Sequence, residues 1–234
     1  MLIWKDQTIE WYMNANKKTQ YFSKLSIPIL EYIEKSDRIC EIACGLGFLS
    51  MELAKKAKEV LSIDISPEAI DFMNTYLEKN SIKNINTSCG DWRKLCKEKV
   101  FDVVILSYFG AILNDWSLLK SIASKYIIAI LPQTYRKDKV SNEDLATYNR
   151  ETVDNVTEFL TEKKIPFKLM KDEIEFGQPF DKIEDAFNFI SHYYNISDRN
   201  YAKEYLNKNL IKKEGYYYLP KTRKFGIFII GPFK

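Results

Sequence analysis

The chain has 234 residues, 46% of them hydrophobic and 29% charged, with a formal charge of +3. Length and balance suit one α/β domain with a substantial core and room for a small appendage. No uninterrupted apolar run reaches the roughly 20 residues of a membrane-spanning helix, and so small a charge is no argument for nucleic acid or an anionic membrane.

Met1–Asp6 lacks the charged start and apolar run of a secretory signal, so a cytoplasmic location is expected. Cys40, Cys44, Cys89 and Cys96 form no CxxC pair and His192 is the sole histidine, so no metal site is expected. Trp4–Glu34 is dense in aromatics, and Leu25, Ile29, Tyr32 and Ile33 recur at helical spacing, with Pro28 expected in the first turn. Asp37–Ser66 organises the rest. Its apolar Arg38–Ile42 reads as a strand, Ala43-Cys44-Gly45-Leu46-Gly47 as a turn, Phe48–Lys58 as a helix with Leu49, Leu53 and Ala57 inward, and Val60–Ile65 as a second strand carrying Asp64. Strand, glycine turn, helix and strand with a terminal acid is the βαβ form that holds an adenosine cofactor, the acid accepting from ribose hydroxyls. Two glycines in such a turn also permit close packing with no ligand at all.

A dinucleotide turn follows GxGxxG, and Ser50 stands at the third glycine. Glu41-Ile42-Ala43-Cys44-Gly45-Leu46-Gly47 instead resembles the ExxxGxG signature of class I S-adenosylmethionine-dependent methyltransferases, in which the acid and loop hold the amino-acid end of the cofactor. A carboxylate suits a cationic ammonium. The resemblance implies a doubly wound, mostly parallel seven-stranded sheet of order 3-2-1-4-5-7-6, the last strand antiparallel, with helices on both faces. It also implies S-adenosyl-L-methionine as cofactor, S-adenosyl-L-homocysteine as product, and leader aromatics lying over the cofactor, for which Tyr12 and Tyr21 are the candidates. Core or surface packing explains those two rings equally well.

Ser66-Pro67-Glu68 starts a helix whose buried stripe is Ile70, Met73 and Leu77. Ile85–Cys89 reads as the third strand, followed by Gly90-Asp91-Trp92. By resemblance Asp91 accepts from the adenine amino group and Trp92 lies beside the ring; as plain structure, Asp91 caps a helix and Trp92 is core. The fourth strand, Phe101–Ser107, ends in Tyr108-Phe109-Gly110, where nucleic-acid amino-methylating relatives carry Asn/Asp-Pro-Pro-aromatic. No cysteine follows a proline, as cytosine C5 enzymes require, and the acid of polyamine aminopropyltransferases is missing. The resemblance thus places Ala43, Ile65, Ser107 and Tyr108 with Cys44 and Gly90 at the cofactor and Phe109 toward the acceptor.

Leu113, Trp116, Leu119 and Ile122 predict a helix, Tyr126–Leu131 a fifth strand closed by Pro132, and Gln133–Val140 a solvated loop. A long helix capped by Asn142 is expected, with Leu145, Tyr148, Thr152, Val156 and Phe159 on one face. Phe167–Phe176 alternates as a half-exposed strand. Asp181 and Glu184 suggest a capping box, Ile183, Ala186, Phe187 and Ile190 an apolar helical face, Asp198–Leu210 another helix, and Phe225–Gly231 the final strand. The expected division is one domain with a helical lid (1–36), a cofactor core (37–176), a helical cover for the substrate (177–220) and the last strand (221–234).

Methyl transfer from a sulfonium chiefly requires alignment, with a base for some oxygen or nitrogen acceptors. His192 and Asp115 are the candidate bases; a helix-end histidine and a capping aspartate explain them as well. The tyrosines of 177–220 suit an aromatic pocket. Interleaved with Lys203, Lys208, Lys212, Lys213, Lys221 and Arg223, they also suit RNA, an acidic protein, or a plain solvated face. The favoured reading is methyl transfer to an O, N or S atom of a small molecule. The alternatives are a macromolecular acceptor (RNA, or a protein such as a carrier) and a non-catalytic cofactor-binding subunit. The motifs leave the acceptor atom and oligomeric state open.

Overall fold

The computed structural model describes residues 4–96, 100–134 and 151–233. In chain order they form α1 (Asp6–Thr19), α2 (Tyr21–Leu30), β1 (Arg38–Ile42), α3 (Phe48–Ala54), β2 (Glu59–Asp64), α4 (Pro67–Lys79), β3 (Ile85–Cys89), α5 (Trp92–Leu95), β4 (Phe101–Ser107), α6 (Ile112–Ile122) and β5 (Ala123–Pro132). Then follow α7 (Val153–Glu162), β6 (Phe167–Glu175), β7 (Gln178–Phe180), α8 (Ile183–Tyr194), α9 (Arg199–Asn209), β8 (Ile211–Lys213), β9 (Tyr216–Leu219) and β10 (Thr222–Ile230).

Seven strands make one sheet of order β3-β2-β1-β4-β5-β10-β6. The first five pair in parallel, and β10 runs antiparallel to both β5 and β6. This is the expected order, with β10 as the seventh strand. Strand parity divides the core in two. Ile39, Val103, Ile105, Ile128, Ile130, Phe225, Ile227 and Ile229 face α2, α3 and α4. Cys40, Ile42, Val104, Leu106, Ile127, Ala129, Leu131, Phe228 and Ile230 face α5, α6 and α7. Covering both faces makes Val103–Leu106 of β4 and Ile127–Leu131 of β5 continuously apolar, as central parallel strands must be. Burying five large side chains of β10 (Phe225, Ile227, Phe228, Ile229 and Ile230) contributes on the order of 10 kcal/mol before chain entropy, enough to draw a late strand into the sheet interior.

Local signals explain the α4 start: the Ser66 hydroxyl accepts from Ala69 N at 3.3 Å, with Pro67 in the first turn. Several expectations need correction. Pro28 lies in the last turn of α2, where its missing N–H costs one bond and the helix stops two residues on. Helix α3 ends at Ala54, four residues before the expected Lys58, although Ala57 remains buried. Thr152 is the N-cap of α7, joined to Asn155 in a reciprocal capping box, and not part of a helical face. The Asn142 cap, Leu145, Tyr148 and most of the Gln133–Val140 loop lie outside the described residues. Asp181 stands one residue too early to cap α8, whose N-cap is Lys182 without a side-chain bond.

The stretch expected as a helical cover is a mixed unit. Helices α8 and α9 pack with a three-stranded sheet of order β7-β9-β8. Its own small core contains Phe180, Phe189, Ile190, Leu206 and Leu219, and Trp11 of α1 completes it, 5.2 Å from Phe189 between ring centroids. Three-residue strands give too short an alternation to be told from loop by pattern. Among the described residues no helix is long and apolar enough to cross a membrane.

Candidate functional site

A cavity of about 580 Å3 opens at the carboxyl ends of β1 and β4, the crevice where open α/β sheets bind ligands. Its floor comes from one sheet face. Parity carries Glu41 to the side of Ile39, Ser107 to that of Ile105, and Arg223 to that of Phe225. The turn after β1 supplies Ala43, Cys44, Gly45, Leu46 and Gly47, and the leader supplies Trp4, Tyr12 and Phe22.

The turn is built on left-handed backbone. Gly45 has φ 55° and Gly47 φ 73°, and a Cβ at position 47 would stand 2.3 Å from the Met73 sulfur. Ala43 and Tyr108 adopt φ 56° and 54° with no glycine's freedom, a strain of about 1 kcal/mol each held at the cavity wall. Trp4 lies across the turn, its ring 3.2 Å from where a Gly45 Cβ would be.

Glu41 is 1% exposed. Its carboxylate accepts from the Ser50 hydroxyl, which in turn accepts from Ser62 Oγ at 2.6 Å. Burial pushes its pKa up to about 7; the Ser50 bonds act against that shift and Asp64 adds to it. Among the described residues Glu41 joins no ion pair. A buried carboxyl that faces a cavity and joins no ion pair suits the ammonium of an amino-acid ligand. Asp64, just outside the lining, is oriented by two amides: Oδ2 accepts from Gly45 N at 2.7 Å and Oδ1 from Ser66 N at 2.9 Å. Burial and the same two acids also push the Cys44 thiol up, so it stays neutral.

Farther along this edge, Ile65 is exposed and Gly90 N donates to Asp64 O at 2.9 Å. Asp91 caps α5, its Oδ1 accepting from Arg93 N at 3.0 Å. Trp92 is buried in the core beside α6. These residues, with Asp64, stand outside the cavity lining, at the ends of β2 and β3. Asp115 sits at a kink in the first turn of α6 and is gripped by Arg93 at 2.9 and 2.6 Å. His192 occupies the exposed last turn of α8, its ring 5.8 Å from that of Trp11. Neither candidate base lines the cavity.

The opposite wall was not legible as a site. Arg223 places its guanidinium carbon 3.9 Å from the Phe176 ring centroid, 5.2 Å from Tyr21, 5.5 Å from Tyr108 and 5.8 Å from Tyr12. The Tyr21 and Tyr108 hydroxyls meet at 2.6 Å, so Tyr21 reaches the cavity through Tyr108. Burial pushes the Tyr12 and Tyr21 hydroxyls up, the Arg223 charge acting against it, and both remain neutral. Extending the final strand's alternation back from Phe225 to Arg223 would have put this side chain on the inward face. A strand begun at Phe225 hid it among the surface lysines.

A family model described as a methyltransferase domain matches residues 33–163. A probable cobalt-precorrin-6B C(15)-methyltransferase (decarboxylating) of Methanococcus maripaludis is 29% identical over 102 residues, 44% of this chain and 55% of its own. A probable ribosomal RNA small subunit methyltransferase A of Methanosarcina acetivorans is 26% identical over 162 residues, 68% of this chain and 57% of its own. The chain thus spans little more than half the length of these relatives. The crystal structure of a precorrin 8W decarboxylase of Methanobacterium thermoautotrophicum superposes with a TM-score of 0.54 at 17% identity, over 91% of this chain and 89% of that one. The family match runs across the glycine turn, the buried Glu41 and the five parallel strands that carry them, and on it the chain belongs to the class I S-adenosylmethionine-dependent methyltransferases.

Proposed function

We propose that this methyltransferase acts on a small molecule, transferring methyl to an oxygen, nitrogen or sulfur atom. The observation that carries the reading is the cavity: about 580 Å3, within the range of small-ligand sites, with Trp4, Tyr12 and Phe22 of the leader in its lining beside the glycine turn.

When bound, S-adenosylmethionine supplies a methyl on a sulfonium that departs as a neutral thioether. In this reading Glu41 takes the ammonium, with Ser50 fixing its carboxylate, and the turn from Ala43 to Gly47 lies along the amino-acid end. Asp64, already aimed by Gly45 N and Ser66 N, accepts from the ribose hydroxyls, and Ile65 and Gly90 flank the nucleoside. Both described bonds of Asp91 fall on Oδ1, leaving Oδ2 for the adenine amino group. Ser107 and Tyr108 border the transferring methyl. Alignment of the acceptor against the methyl then carries the rate enhancement. A base role for His192 or Asp115 would need either to reach a cavity from which it now stands apart.

A second reading has one observation in its favour. Lys18, Lys213 and Lys221 lie over the rings of Tyr216, Tyr218 and Tyr194, a basic and aromatic surface on the mixed unit that suits RNA. The test is incubation of the protein with a cytoplasmic extract and methyl-labelled cofactor, followed by ultrafiltration. Label in a new low-mass species, separated from unreacted cofactor by chromatography of the filtrate, is expected. Label retained with RNA or protein would overturn the small-molecule reading.

A further inference from the structure

We infer that Arg223 is an anion-recognition residue, and that the acceptor of this enzyme carries a carboxylate that docks on it. The inference rests on the small-molecule reading and names its substrate class.

An arginine packed among four rings has given up much of its hydration, and such a charge is ordinarily balanced by a carboxylate. Arg223 has no such balance: among the described residues it takes part in no ion pair, while Arg38, Arg93, Lys125 and Lys224 all do. It is half-buried, and it lines the cavity. Its neighbours Tyr12, Tyr21 and Tyr108 are neutral phenols, and its guanidinium carbon lies 3.9 Å from the Phe176 ring centroid. The Tyr12 and Tyr21 hydroxyls share hydrogen bonds with the guanidinium but bring no negative charge, so its charge stays open to a planar bidentate partner, the geometry of a carboxylate.

Position separates this partner from the cofactor. Glu41, assigned to the ammonium, lies on β1; Arg223 lies on β10, three strands away through β4 and β5. At about 4.8 Å per strand their backbones stand ~14 Å apart. The carboxylate of an amino-acid head group sits on the same carbon as its ammonium and stays near Glu41. Arg223 instead faces the space beyond Tyr108, on the acceptor side. The walls there are aromatic, and Phe22 and Phe48 of the same cavity offer apolar surface to the body of such an acceptor.

The test uses the whole protein saturated with S-adenosylhomocysteine and titrated calorimetrically with benzoate and, separately, with benzamide. The expected result is benzoate bound at least tenfold more tightly than benzamide. In Arg223→Gln that preference falls below threefold while S-adenosylhomocysteine affinity stays within threefold of wild type. Arg223→Lys, which keeps the charge and loses the fork, retains an intermediate preference and guards against a folding defect in the glutamine variant. Equal binding of benzoate and benzamide to wild type would overturn the inference and leave the small-molecule reading standing. So would a tenfold loss of S-adenosylhomocysteine affinity in both variants, which would give Arg223 to the cofactor carboxylate. A single-stranded RNA oligonucleotide that binds only wild type, with no benzoate preference, would overturn the inference and the small-molecule reading together.

Discussion

The two ends of the cavity are built differently. At the β1–β3 end, Glu41, Gly45, Gly47, Ser50 and Asp64 come from 24 consecutive positions of one βαβ unit, each placed by its immediate neighbours. At the β4–β10 end, Tyr12, Tyr21, Tyr108, Phe176 and Arg223 come from the leader, three strand ends and nearly the whole length of the chain. The first end, where the cofactor is proposed to bind, is fixed by short-range rules. The second depends on tertiary packing, which is where one enzyme of a shared fold can differ from another.

Perturbing each end should separate them. The largest effect is expected from Asp64→Ala. It removes the proposed ribose acceptor and also strips Gly45 N and Ser66 N of their partner, so cofactor affinity should fall at least 100-fold by calorimetry, in line with charged hydrogen bonds of about 1.5–3 kcal/mol each. Cofactor affinity retained within tenfold would break the comparison at its first end.

Glu41→Gln comes next, with opposite consequences for binding and folding. Affinity for S-adenosylmethionine should drop about 10- to 100-fold as an ammonium partner is lost. The cofactor-free protein should become more stable at pH 8. The folded carboxyl has a pKa of about 7, above its ordinary 4.5, so its contribution is fully present below pH 4.5 and is lost as pH rises through 7. Roughly 3 kcal/mol is at stake across that window, and glutamine escapes it. Denaturant unfolding of both proteins at pH 5 and pH 8 checks the sign: the gap should be wide at pH 8 and narrow at pH 5. In wild type, cofactor binding should weaken on acidification below about pH 7 as Glu41 takes up a proton, and the variant should lack that dependence.

The smallest effect belongs to the other end. Tyr21→Phe removes the 2.6 Å bond to Tyr108, whose hydroxyl can turn to water, so urea unfolding should show a loss of about 1 kcal/mol. A cofactor defect as large as that of Asp64→Ala would show that the two ends are one site.

This division also explains what the sequence could convey. Strands β3 and β4 appear with the boundaries expected of them, β4 from its apolar run, and Ser66-Pro67-Glu68 caps α4 as its residue types require. Glu41 and Asp64 were legible because a turn and a strand end constrain them locally. Ser50 was visible only as a missing glycine, yet its hydroxyl orients the Glu41 carboxylate. Arg223 was out of reach for a different reason: its meaning comes from rings between 47 and 211 positions away, and no periodicity links them. The mixed unit of 178–219 was misread because strands of three or four residues leave almost no alternation to count.

The indole of Trp4 lies against Gly45, in a chain whose other tryptophans sit elsewhere: Trp92 in the core, Trp116 against Phe159, and Trp11 at the junction with the mixed unit. The glycine turn therefore carries an intrinsic optical reporter. A ligand settling along the turn changes the polarity around one fluorophore out of four, so the emission of a Trp11→Phe, Trp116→Phe protein would follow cofactor arrival and departure in real time without a label.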